Sequence, residues 1–166
     1  VYMISKPLVK VGMADMQVMR GSGILKTLGL GSCVGLTMYD PWVKVAGMAH
    51  IMLPSSDISR ETTVKAAKYA DLAVPEMLAQ LVKLGADPTR IEAKLAGGAQ
   101  MFALNTKNDM MRIGPRNVEA TREMLKKLSI PLVAEDTGGN YGRTIELDTE
   151  TGILLVKSVN RGTKEL

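Results

Sequence analysis

The sequence predicts one α+β domain spanning residues 1–166, a layered β-sandwich with flanking helices. Three observations carry that expectation. Strand-length apolar runs closed by Gly, Pro and Asp turns cluster at both ends of the chain. The middle carries apolar residues at helical spacing. No repeat and no Pro/Ser-rich linker divides the 166 residues, a length close to that of one ordinary domain.

The elements follow in order. Leu8 to Ala14 and Met16 to Met19 read as short strands, with the turn Gly21 to Gly23 after the second. Ile24 to Leu30 is apolar and runs into the glycine-rich stretch Gly29-Leu30-Gly31-Ser32-Cys33. Val34 to Tyr39 is a strand closed by Asp40-Pro41, and Val43 to Leu53, which carries His50, is closed by Pro54-Ser55-Ser56. Asp40 to Trp42 therefore connects two adjacent strands. From Arg60 to Leu84 the apolar spacing (Val64, Ala67, Leu72, Met77, Leu81) predicts helix, which Gly85 stops at the C′ position. Pro75 either kinks that helix or starts a second one. Arg90 to Leu95 is a strand entering Gly97-Gly98. Pro115 to Leu128 is an amphipathic helix, with Gly114 and Pro115 suited to its cap and first turn and Lys126-Lys127 at the negative end of its dipole. Pro131 to Glu135 is a strand ending at Thr137-Gly138-Gly139. Arg143 to Leu147 and Ile153 to Val159 form a hairpin around the turn Thr149 to Gly152.

Composition narrows the function. Apolar residues at 46% and charged residues at 23% describe a globular chain, not a disordered one. The excess of 21 Lys+Arg over 17 Asp+Glu is too small to argue for nucleic acid. One Trp, one Phe and four Tyr give no stacking platform for single strands either. Val1 to Lys10 carries no secretory pattern, and no run of about 18 apolar residues occurs, so a cytoplasmic protein that is not membrane-embedded is expected. A single cysteine allows no disulfide within the chain and no cysteine-based zinc site, and a single histidine excludes two-histidine metal motifs. The twelve methionines read as adaptable core filling.

Familiar motifs fail on inspection. Gly29, Gly31 and Gly35 are spaced GxGxxxG and lead into a strand, which does not fit a dinucleotide fold. No phosphate loop is present, and Leu30 and Val34 occupy the glycine places of a serine elbow around Ser32. Cys33 and His50 remain. Each has an inert reading, as a small buried hydrophobe and as a structural imidazole. Each also has a chemical one. The glycine-rich segment before Cys33 can present backbone N–H groups to a bound carbonyl, and His50 lies 17 residues later on the adjoining strand. A cysteine nucleophile needs a partner that holds its thiolate and moves the leaving group's proton. The pair is expected as a thiolate–imidazolium, with the thiol pKa below its ordinary value of about 8.5. Thr27 is the nearest upstream polar group able to orient the imidazole.

Two longer blocks then become recognisable: Thr27-Leu28-Gly29-Leu30-Gly31-Ser32-Cys33-Val34-Gly35 and Gly47-Met48-Ala49-His50-Ile51-Met52-Leu53-Pro54. Three more follow in register: Gly97-Gly98-Ala99-Gln100-Met101-Phe102, Ile113-Gly114-Pro115-Arg116-Asn117 and Gly138-Gly139-Asn140-Tyr141-Gly142-Arg143. Over roughly Leu8 to Val159 the chain resembles the CheD family, the chemoreceptor glutamine deamidases of bacterial and archaeal chemotaxis. The resemblance implies a cysteine-hydrolase fold similar to the catalytic domain of the cytotoxic-necrotizing-factor toxins. It implies a triad of Cys33 as nucleophile, His50 as base and acid, and Thr27 as orienting group, with no metal or organic cofactor. The implied partners are the cytoplasmic helices of methyl-accepting chemotaxis receptors and the CheC phosphatase, bound by a monomer.

Rival readings share these residues. One is a mainly non-catalytic chemotaxis adaptor acting through CheC and receptor binding. Another is a cysteine protease or transglutaminase, which shares the thioester chemistry and differs in what meets the thioester. Met101 and Phe102 are candidates for an apolar partner-binding surface, with ordinary core as the alternative.

Overall fold

The computed structural model describes residues 6–59, 62–101 and 112–166. Ten strands form two five-stranded sheets. The first sheet has the order β1 (Leu8–Lys10), β3 (Ile24–Leu30), β8 (Arg143–Asp148), β9 (Leu154–Ser158), β10 (Gly162–Glu165). The second has the order β2 (Met16–Arg20), β5 (Val45–Ile51), β4 (Val34–Asp40), β6 (Glu92–Gly97), β7 (Leu132–Thr137). Only β1 with β3 and β6 with β7 run parallel; the other pairings are antiparallel. Two helices, α1 (Ala70–Lys83) and α2 (Ile113–Lys127), pack on the far face of the second sheet.

The layering follows from the side chains of the central strands. On β5, Val45, Ala49 and Ile51 meet Ala73, Val74, Met77 and Leu81 of α1, together with Val118 and Leu125 of α2. Ala46 and Met48 of the same strand face the other way, onto Leu25, Ile145, Leu147, Leu154 and Val156 of the first sheet. Every residue of β4 and β5 is therefore buried. A strand covered on both faces reads as a continuous apolar run without alternation, as these two do. Each fully buried Leu, Ile or Met contributes about 1.5–3 kcal/mol, so this middle sheet carries much of the stability. Among the described residues no helix is long and apolar enough to cross a membrane.

The α+β layered architecture matches the sequence expectation, and several boundaries move. The first strand stops at Lys10, because Asp15 N–H turns back to the Gly12 carbonyl and Ala14 adopts φ 58°. The first helix starts at Ala70 rather than near Arg60. The segment before it bonds outward instead, as the N–H groups of Met52 and Leu53 donate to the Lys68 carbonyl. Buried Ala67 and Tyr69 thus mimic helical spacing from a 3-10 turn and its flank. Pro75 lies inside one helix and starts no second one. That helix ends as expected: Ala86 N–H reaches the Leu81 carbonyl and Gly85 N–H the Val82 carbonyl, with Gly85 at φ 103°. Strand β10 has no sequence signal, being exposed throughout and lacking apolar alternation.

Candidate active site

The site lies where the chain crosses from one sheet to the other. Thr27 sits on β3 of the first sheet, and His50 on β5 of the second. Between them, residues 31–33 carry the chain into β4, with Cys33 as the last residue before the strand. In the β4–β5 ladder Gly35 faces His50 and Val34 faces Ile51. Continuing that register by one residue makes Cys33 and His50 diagonal cross-strand neighbours on one face. Diagonal positions of this kind lie about 7–8 Å apart at the backbone, within reach of side-chain contact. The face is the one turned to the first sheet, since Cys33 packs in the same cluster as Ala46 and Met48. The turn expected at Asp40 to Trp42 is what folds these strands together. There the Trp42 N–H donates to the fully buried Asp40 carboxylate at 3.0 Å, and Arg90 grips the same carboxylate through Nε and Nη2 at 3.1 and 3.0 Å.

The hydrogen bonds of Thr27 fix the tautomer of His50. Thr27 Oγ1 lies 2.7 Å from His50 Nδ1 and 2.7 Å from the Val11 carbonyl oxygen. A hydroxyl has one proton, and a carbonyl can only accept. Thr27 therefore donates to Val11 and accepts from His50 Nδ1–H. In the neutral ring the lone pair is then on Nε2. That nitrogen is fully buried and has no hydrogen-bond partner. The backbone of His50 is pinned as well, its N–H donating to Asp15 and its carbonyl accepting from Ala14, both at 3.0 Å.

All three carbonyls of the nucleophile loop are held. Gly31 accepts from Ala99 N–H and Cys33 from Gly98 N–H, both at 2.9 Å, and Ser32 accepts from Asn117 Nδ2, also at 2.9 Å. Among the described residues the N–H groups of Ser32 and Cys33 have no backbone acceptor. They remain available as donors to an oxyanion. Gly97 allows the close approach of β6: it has φ 100°, and a Cβ there would collide with the Cys33 carbonyl oxygen. Behind Gly97 lies Arg143, whose side chain is fully buried, with Nη1 3.4 Å from the Gly97 carbonyl and Nη2 3.5 Å from Asp136. Neither Asn117 nor Arg143 is assigned a role by sequence reasoning. Both stand in quoted blocks, and a helix-interior Asn was the available signal for the first.

Burial acts against one expectation. Cys33 is 8% exposed, and burial pushes its thiol pKa up. Burial likewise pushes the His50 imidazole down. Both shifts favour the neutral forms, the opposite direction to a thiolate–imidazolium pair. Nε2 is then a base ready to take a proton. Among the described residues no three His, Cys, Asp or Glu side chains gather where a metal ion would fit. Met101 is 46% exposed and lies over Gly31, at the edge of the nucleophile loop rather than in the core. Phe102 lies outside the described residues.

A thiol set diagonally across the ladder from an imidazole whose basic nitrogen is bare and whose tautomer is set by a hydroxyl has the makings of cysteine-dependent acyl transfer. Comparison with known proteins narrows that class. Residues 52–158 match the family model for CheD chemotactic sensory transduction. The "Probable chemoreceptor glutamine deamidase CheD" of Caldanaerobacter subterraneus subsp. tengcongensis is 55% identical, covering 95% of this chain and 96% of the relative. The "Chemoreceptor glutamine deamidase CheD" of Halalkalibacterium halodurans is 52% identical over 95% and 98% of the two chains, and that of Bacillus subtilis 44% over 95% of each. The chain belongs to the CheD family. A crystal structure of Bacillus licheniformis hypothetical protein YfiH aligns with a TM-score of 0.44 and 17% identity over 69% of this chain and 46% of that one, too distant to carry an argument.

Proposed function

We propose that the chain is a protein-glutamine deamidase that converts glutamine side chains of methyl-accepting chemotaxis receptors to glutamate through a Cys33 thioester. The observation that carries the mechanism is the buried, bare Nε2 of His50, held in that tautomer by Thr27. Nε2 takes the thiol proton as Cys33 Sγ attacks the carboxamide carbon. The N–H groups of Ser32 and Cys33 face the oxyanion that develops. The imidazolium gives its proton to the departing nitrogen, ammonia leaves, and the thioester remains. Nε2 then deprotonates a water that attacks the thioester, and the sulfur takes the proton back as glutamate is released. The net reaction consumes one water and frees one ammonia for each glutamine.

The substrate class rests on the names of the relatives, which are chemoreceptor glutamine deamidases. The protein works in the cytoplasm as a monomer, with the CheC phosphatase as a second partner. Met101, exposed beside the nucleophile loop, belongs to the surface that meets them. The test is mass spectrometry of receptor cytoplasmic fragments after incubation with the protein. Each converted glutamine gains about one dalton when water replaces ammonia. Cys33→Ala should release no ammonia while melting as the parent does. Binding without any mass gain in the parent would favour the adaptor reading, and an amine cross-link in place of the gain would favour a transglutaminase.

A further inference from the structure

Asn117 stands in the fifth position of α2, is wholly buried, and has Nδ2 3.0 Å from the Met52 carbonyl as well as 2.9 Å from that of Ser32. Both neighbours are carbonyl oxygens, so the nitrogen side of the amide must face them. Its two hydrogens then serve two different segments. Ser32 directly precedes Cys33, and Met52 follows His50 by two residues. We infer that Asn117 is a positioning residue that sets the spacing between the Cys33 thiol and His50 Nε2, an inference that rests on the deamidase reading above.

The choice of side chain supports this. Only a group with two hydrogens on one atom can hold two carbonyls from one point, and the amide of Asn does so from a short stem. Ser and Thr have one proton, and Gln is longer by a methylene. Asn is also a poor helix former, so the helix itself does not call for it at an interior position. Its Oδ1 is buried without a partner, a cost that the helix alone would not select. Neither carbonyl has another donor among the described residues. In the next turn, Thr121 Oγ1 donates to the Asn117 carbonyl at 2.8 Å, which ties the backbone of this residue within the helix. Asn117 thus joins the helix layer to the nucleophile loop and the end of the histidine strand at once. Removing its donors frees Ser32 and Met52 to part, which lengthens the proton path from Sγ to Nε2.

Alkylation of Cys33, the only thiol, reads that path without turnover. The rate of reaction with iodoacetamide near pH 7 is compared in the parent, His50→Ala, Asn117→Asp and Asn117→Ser. Asn117→Asp keeps the shape and replaces two donors by acceptors, and Asn117→Ser keeps one donor should the aspartate fail to fold. The parent should react at least tenfold faster than His50→Ala. Each Asn117 variant should lose most of that advantage, with deamidation kcat falling at least tenfold and KM changing less than threefold. A His50-dependent rate that survives in a folded Asn117 variant overturns the inference alone. Identical rates in the parent and His50→Ala overturn the deamidase reading and the inference together.

Discussion

Replacing Thr27 by valine tests the tautomer argument directly. Valine fills nearly the same volume, so the change removes two hydrogen bonds and opens no cavity. It strands two buried groups, His50 Nδ1–H and the Val11 carbonyl. A buried polar group left without its partner costs about 1–3 kcal/mol. The two together cost roughly 2–6 kcal/mol, or a melting midpoint lower by roughly 4–24 °C at about 2–4 °C per kcal/mol for a chain of this size. The chemical loss is separate. Without an acceptor at Nδ1 the neutral ring is free to carry its proton on Nε2, which blocks the base. We expect kcat to fall about 10–100-fold, equivalent to roughly 1.4–2.7 kcal/mol. Thr27→Ser keeps the hydroxyl and should retain most of the activity. The assay is ammonia release from receptor fragments at a temperature where all variants are folded, with nitrogen-15 NMR of the imidazole reporting the tautomer. A folded Thr27→Val protein that turns over within twofold of the parent, or that keeps its proton on Nδ1, would refute the reasoning.

Three further outcomes follow from burial. The thiolate limb of the Cys33 alkylation profile should have its midpoint above the ordinary thiol value of about 8.5, because burial favours the neutral thiol; a midpoint below it would restore the ion pair. His50 has a folded pKa depressed by burial, so its contribution to stability is present above the unfolded value of about 6.5 and is lost as pH falls below it. Melting curves from pH 7.5 to 5 should show this decline, and His50→Gln should flatten it; equal slopes in the two proteins would count against the assignment. Arg90→Ala should lower the melting midpoint, since it leaves the Asp40 carboxylate with only the backbone donors of Trp42 and Asp87, and an unchanged midpoint would show that those donors suffice.

What was legible in the sequence was what lies close along the chain. Cys33 and His50 are joined by one tight connection, and a turn signal at Asp40 is enough to pair their strands. Thr27 comes from the opposite sheet; sequence offers it only as the nearest upstream polar group, and the family resemblance supplies its role, because its bond to His50 spans 23 positions and crosses the sandwich. Asn117 reaches back 85 positions to Ser32, and its one local signal, an asparagine inside a helix, does not name the carbonyls it holds. The direction in which burial pushes the two pKa values is not legible, because it depends on how deeply the sandwich buries the pair, which spacing does not encode. Helix periodicity overran the start of α1 because a 3-10 turn also presents apolar residues every three positions. Strand β10 escaped because an edge strand exposed throughout carries no apolar signal.

The direction of the two burial shifts and the placement of the site belong together. Each layer supplies one part: the first sheet gives the hydroxyl that fixes the tautomer, the second gives the base, the crossing between them gives the thiol, and the helix layer gives the amide that holds loop and strand. A site built at such a junction is buried by the packing that forms it, so desolvation of both titrating groups is a consequence of the architecture. On the proposed mechanism, proton transfer to Nε2 is tied to attack on a carbonyl seated against the Ser32 and Cys33 N–H groups, where the developing oxyanion offsets the new charge on the imidazole. In this arrangement the requirement for a correctly placed carboxamide comes from the burial of the pair itself, before any contact with the remainder of a receptor helix is considered.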